Sequence, residues 1–175
     1  MGNGNLAEPW LRGTLTDVPP VLRAVLHALE LAQEDVERWC FGLSAEELNS
    51  RPEGIASVSF HLRHIPGSVD RLLTYAEGRA LSPEQLAALK HESEPVTSPE
   101  NLFAEYRRHL TESAERIRRF DATKIEESRT VGKKQLPTTV AGLLVHVADH
   151  THRHVGQAVT TAKIVLARRV TSAAD

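Results

Sequence analysis

The stretch Val140-Ala141-Gly142-Leu143-Leu144-Val145-His146-Val147-Ala148-Asp149-His150-Thr151-His152-Arg153-His154-Val155-Gly156-Gln157-Ala158-Val159-Thr160-Thr161-Ala162 decides the fold. Val140, Leu144, Val147, Ala148, Val155, Ala158, Ala162 and then Leu166 recur at helical spacing, with none of the period-two alternation of a strand. The spacing predicts a long helix from Thr138 to about Arg168. At about 100° per residue, His146, His150 and His154 fall within an arc of roughly 80°, with Gln157 inside it. The apolar stripe is centred about 100° from that arc, so the histidines border the core, and His152 points elsewhere. Gly156 costs about 1 kcal/mol relative to Ala inside a helix, which implies close helix approach or space beside the histidines.

The same periodicity extends outward through most of the chain. Pro19-Pro20 suits a helix start, and Val21, Leu22, Val25, Leu29, Ala32 and Val36 carry a first long helix to about Phe41. Ser44-Ala45-Glu46-Glu47 matches a capping box opening a short turn of helix. Ile55, Val58, Leu62, Ile65, Val69, Leu72, Leu73 and Ala76 make the core stripe of a second long helix, stopped by Gly78. Ser82-Pro83-Glu84-Gln85 opens a short connecting helix to about Glu92. Ser98-Pro99-Glu100 opens a third long one through Leu102, Phe103, Tyr106, Leu110, Ala114, Ile117 and Phe120. Lys124 to Pro137 mixes charges and reads as a loop. Four long apolar stripes are most simply buried together, so the expected class is all-α, a four-helix bundle with short connecting helices. A single domain over 1–175 is expected, with a loose lead over 1–15 and a disordered tail over 169–175.

Composition narrows the function. The 175 residues are 41% hydrophobic and 25% charged, which fits a globular chain. Lys and Arg number 21 against 23 Asp and Glu, a formal net charge of −2, so nothing draws the protein to a nucleic acid or an anionic membrane. Cys40 stands alone, which excludes an intramolecular disulfide and a four-thiolate zinc site and fits a reducing cytoplasm, the expected location. As a catalytic nucleophile Cys40 is a weak idea, since a buried helix-end cysteine is usually structural. Met1 to Gly13 shows no basic segment followed by an apolar stretch. The most apolar run, Val140 to Ala148, falls far short of the about 20 residues a membrane span needs. Glu-x-x-His and HExxH are both absent, which disfavours a ferritin-like di-iron centre and the common metalloprotease site.

Nine histidines carry the remaining signal. Neutral imidazoles are good ligands for zinc, nickel, copper and iron, and two on successive helical turns sit about 6 Å apart along the axis, a natural chelate. His146 and His154 are about 12 Å apart along it, so only one adjacent pair can serve and another helix must complete the site. The second helix offers His61 and His64. On an ideal wheel His61 lies about 70° from the core stripe and His64 about 130°, which favours His61 as the inward one. Phe60, Ser68 and Tyr75, however, share the side of His64 and form a mixed stripe suited to a pocket wall. Pro66 should kink or end the helix there, rotating the preceding turn, so the choice between His61 and His64 stays open. Histidines at a core margin, bonded to backbone or water, are the alternative for all of these. Asp149, four before Arg153, reads as a surface ion pair worth about 0.3–0.5 kcal/mol.

Two stretches then resemble one family. Phe60-His61-Leu62-Arg63-His64-Ile65-Pro66-Gly67-Ser68 and His150-Thr151-His152-Arg153-His154-Val155-Gly156-Gln157 are similar to the DinB-like, or YfiT-like, proteins, described as metal-dependent hydrolases. Their pattern is His-Ile with small residues and Ser on the second helix, and His-x3-His followed by Gly-Gln on the fourth. Here Pro66 stands where a helix-compatible small residue is usual, and Val155 where Arg is often found. The resemblance covers about 10–168 and implies a four-helix bundle, a divalent ion, often nickel or zinc, and a homodimer. It implies His64, His150 and His154 as metal ligands; no general base is evident beyond His61, His146 and Gln157 near them, which are assigned supporting or pocket roles. It further implies a metal-dependent enzyme of the thiol-S-transferase or hydrolase type, with an open coordination position and a small-molecule substrate such as a low-molecular-weight thiol. The alternative is a helical module that binds metal, or serves in stress, without catalysis.

Overall fold

A computed structural model describes residues 7–172. Its elements are α1 (Pro20–Cys40), α2 (Ala45–Asn49), α3 (Val58–Ala76), α4 (Pro83–His91), α5 (Pro99–Arg118), the strands β1 (Ser128–Val131) and β2 (Leu136–Thr139), and α6 (Val140–Ser172). The predicted caps form. Ser44 and Ser82 each close a capping box, with Glu47 and Gln85 returning the bond, so both short helices start where their sequence puts a hydroxyl before a carboxylate or amide. Ser98 caps α5 by accepting the Asn101 N–H, and Ser57, which the sequence reading does not single out, caps α3 by accepting that of Phe60.

The four long helices form a ring in which α6 packs on α1 and α3, and α5 packs on the same two from the other side. Leu22, Val36, Leu62, Ile65, Leu73, Tyr106, Ile117, Leu143 and Leu144 fill its centre, each nearly inaccessible to solvent. The all-α bundle is therefore the fold. Among the described residues no helix is long and apolar enough to cross a membrane.

Three details differ from the sequence reading. Lys124 to Pro137 is not simply a loop: β1 and β2 pair antiparallel, Val131 opposite Leu136, around a turn in which Gly132 and Gln135 both have positive φ. This hairpin leads straight into α6. Pro66 neither ends nor splits α3, which runs through it from Val58 to Ala76 with Pro66 itself buried. Packing against α5, α6 and α4 holds that helix on both sides of the missing N–H. At the ends, Pro9–Leu11 form a 3-10 turn and Arg12 forks onto Glu34 at 2.6 and 2.8 Å, so the lead from residue 7 is anchored on α1. Helix α6 continues past Arg168 to Ser172. The parts of the expected lead and tail at 1–6 and 173–175 lie outside the described residues.

Candidate metal centre

Helices α3 and α6 pack along their length, and their histidines meet where His64 faces the one-turn step from His150 to His154. The ring centroids of His64 lie 4.3 Å from His154 and 5.1 Å from His150, and those of His150 and His154 are 4.5 Å apart. One ring nitrogen from each can be chosen so that all three lie within 4.8 Å of one another. No other group of three His, Cys, Asp or Glu among the described residues has that geometry.

In all three rings Nδ1 is engaged elsewhere. His64 Nδ1 is 2.6 Å from Glu92 Oε2, His150 Nδ1 is 3.2 Å from Ser68 Oγ, and His154 Nδ1 is 3.0 Å from His61 Nδ1. Nε2 is thus the nitrogen left free on each ring. Holding one imidazole nitrogen by a hydrogen bond fixes the tautomer and aims the other, the usual preparation of a histidine for a metal. Three imidazole nitrogens held about 2.0–2.1 Å from one tetrahedral ion stand about 3.3 Å apart, inside the 4.8 Å that bounds the set brought together here.

Ligation requires neutral imidazoles, and burial disfavours protonation at His150 and His154. Burial, with the positive charge of His154, His64, His146 and Arg153, pushes His150 down to about 4. His154 is also held below the ordinary imidazole value, by burial and then by His64 and Arg153. His61, 2% exposed, is pushed down to about 4 by burial and by its neighbours His154 and His64. Glu92 is buried, which alone would raise its carboxyl, but hydrogen bonds from His64 and Arg71 outweigh this and hold it ionised below the usual range. The donor set therefore suits a divalent cation: three imidazole nitrogens and a nearby carboxylate.

The structure brings together the predicted His64, His150 and His154, and it places His61 and His146 at the flanks. His61 sits behind His154. A neutral His154 with a bare Nε2 carries its proton on Nδ1 and donates it to His61 Nδ1, which puts the proton of His61 on Nε2. His146 is exposed, its ring 5.5 Å from that of His150, and is outside the three-imidazole group. Phe60 stacks on His64 at 5.3 Å, realising the mixed stripe of α3 as a wall of the site. Gln157 is exposed and lines a groove of about 680 Å³ together with His61, Arg153, Gly156, Ile55 and Thr160. A Cβ on Gly156 would meet nothing within 4 Å, so this glycine marks space and not close helix approach. Asp149 pairs with Arg153 at 2.6 Å on the surface, as its spacing predicts.

Cys40 is fully buried and its thiol is pushed up to about 12 by burial and by Asp35, so it supplies no thiolate at neutral pH. Glu92, at the C-terminal cap of α4, enters the sequence reading only as the end of a connecting helix and not as a site residue. No spacing rule links this connector to α3, and the one local hint is Gly67, a helix-interior glycine beside His64.

No curated protein matches the chain in sequence. The family model described as the DinB superfamily matches residues 28–158, well over half of the chain and a span that holds every histidine of the cluster and Glu92. The chain belongs to the DinB superfamily.

Proposed function

We propose that the protein binds one divalent ion, zinc or nickel, through Nε2 of His64, His150 and His154, and acts as a metal-dependent enzyme of the thiol-S-transferase or hydrolase type on a small molecule. The observation that carries this reading is the convergence of three imidazoles from two helices with every Nδ1 already held by another group. Part-buried imidazoles take hydrogen-bond partners in any case, but here each is held at Nδ1 while the rings of all three converge, the arrangement of metal ligands. When bound, such an ion supplies Lewis acidity, polarising an oxygen or sulfur of a substrate or acidifying water.

The remaining roles belong to the chain itself. His61, neutral and with its proton on Nε2, offers a donor to a ligand lying in the groove it lines, and its bond to His154 keeps that tautomer in place. Gln157 adds an amide on the same wall, and Ile55 supplies an apolar edge. Three protein ligands leave a coordination position open, the arrangement of catalytic zinc sites as opposed to structural ones. A homodimer in the cytoplasm and a low-molecular-weight thiol as substrate are part of the proposal through the family resemblance.

Elemental analysis of the purified protein tests the centre. One equivalent of metal is expected in the wild type, and loss of it in His150→Ala and in His154→Ala with helical content unchanged. Stoichiometric metal retained in both variants overturns the assignment. Turnover of a thiol conjugate by the loaded wild type, lost in His150→Ala, separates an enzyme from a protein that only holds metal.

A further inference from the structure

Glu92 ends α4, a connector outside the four-helix core, yet its side chain is buried against α3. Burying a carboxylate costs several kcal/mol unless it is fully partnered. Both oxygens are: Oε1 accepts from Arg71 Nη1 at 2.8 Å, and Oε2 lies 2.6 Å from His64 Nδ1. Arg71 alone would neutralise the charge, so the second bond, to an imidazole, needs its own reason. The approach is also sterically prepared. A Cβ at residue 67 would stand 2.8 Å from Glu92 Oε1 and 3.0 Å from Arg71 Nη1, so any larger side chain there would force the carboxylate or its guanidinium partner to shift from its present place beside His64. Gly67 has no positive φ, and mid-helix glycine costs about 1 kcal/mol relative to alanine, so its presence answers to this close approach.

We propose that Glu92 is a positioning residue for the metal centre, fixing His64 as the Nδ1–H tautomer and aiming its Nε2 at His150 and His154, with Gly67 as the notch that admits it and Arg71 as its counter-charge. The proposal rests on the three-histidine reading and adds a residue to it. Of the three rings, His64 is the one braced by an ionised group, and a carboxylate accepting from a ligating imidazole makes that imidazole more basic and offsets part of the cation's charge. Stacked Phe60 limits the ring's tilt, and Glu92 limits its rotation.

The test is zinc affinity of the full chain, measured by competition with a chromophoric chelator, with circular dichroism of the metal-free proteins as a check of folding. Glu92→Ala should weaken zinc binding by about 10–100-fold. Glu92→Gln, which keeps an acceptor at the same place and loses the charge, should weaken it less, and Gly67→Ala should weaken it by displacing the carboxylate. In zinc-loaded wild type the His64 Nδ1–H should give a slowly exchanging low-field proton resonance, moved upfield in Glu92→Gln and lost to exchange in Glu92→Ala. Wild-type affinity in folded Glu92→Ala, or in Glu92→Gln with an unmoved resonance should the alanine variant not fold, overturns the proposal and leaves the three-histidine centre standing. Zinc binding that survives His150→Ala and His154→Ala overturns the centre and the positioning role together.

Discussion

The imidazoles of His61, His150 and His154 share one physical condition, that of being buried among other potential cations and so kept neutral. An imidazole harder to protonate in the folded than in the unfolded chain makes the unfolded state the better proton binder, and stability then rises with pH across the gap. For His61 and His150 the gap runs from the ordinary value near 6.5 down to the value of about 4 that each has in the fold. His64, His146 and Arg153 face these rings and add repulsion once protons bind, while Glu92 is the one carboxylate that opposes it at His154. Metal-free protein is therefore expected to be fully stable above the upper limit and to lose stability steadily as pH falls through that window. Urea unfolding at about pH 7.5, 6 and 5 measures this as a falling midpoint at constant slope. A midpoint that does not move would mean that these rings are not buried neutral. His61→Gln should flatten the dependence, because one of the resisting groups is gone.

Between elements, the site depends on α3 being held at a fixed rotation against α6, and α5 does part of that work from the opposite side. Arg116 on α5 reaches across to α3, 2.5 Å from Asp70 Oδ1 and 2.8 Å from Glu77 Oε1, with Thr74 Oγ1 at 3.2 Å. These are half-buried, charge-assisted bonds to a single face of α3, and hydrogen bonds to charged groups contribute about 1.5–3 kcal/mol each when one partner is removed. Partial exposure lowers that figure, so Arg116→Ala is expected to cost about 1.5–3 kcal/mol in total. Thermal or denaturant unfolding checks it, and a change under about 0.5 kcal/mol would place Arg116 among ordinary surface residues. Element scale is also where sequence reading succeeds and fails for identifiable reasons. Long helices were legible because each buries a stripe over many turns, and the caps at Ser44, Ser82 and Ser98 are local chemistry. The hairpin was not: its strands are four residues each, half exposed and half partly buried with none in the core, too short for alternation to register. The wheel placed His61 inward correctly, yet which imidazole joins His150 and His154 in the group of three follows from the roll of one helix on another. That is a tertiary quantity, which motif resemblance supplied and periodicity did not. Glu92 was illegible because its partner lies on another element with nothing in the spacing to link them.

Across the whole molecule, the cluster ties together two helices that are distant in the chain and adjacent in the ring, with α1 and α5 closing the bundle on the other sides. An ion held by His64 on one helix and by His150 and His154 on the other exists as a bound species only while α3 and α6 are packed, so binding energy adds to folding energy. For a ligand that binds the folded state alone, one hundred times its dissociation constant contributes about 2.7 kcal/mol. In a domain of this size each kcal/mol moves the melting temperature by about 2–4 °C, which predicts a rise of about 5–11 °C at that loading. Scanning calorimetry with zinc, with nickel and with chelator measures it, and the larger rise at equal free-metal concentration identifies the ion that binds more tightly. His150→Ala and His154→Ala should show no rise. His146→Ala should keep it, since that ring stands outside the three-imidazole group. A rise of the same size in all three variants would mean that the metal stabilises the fold somewhere else, and the link between α3 and α6 would have to rest on their apolar packing alone.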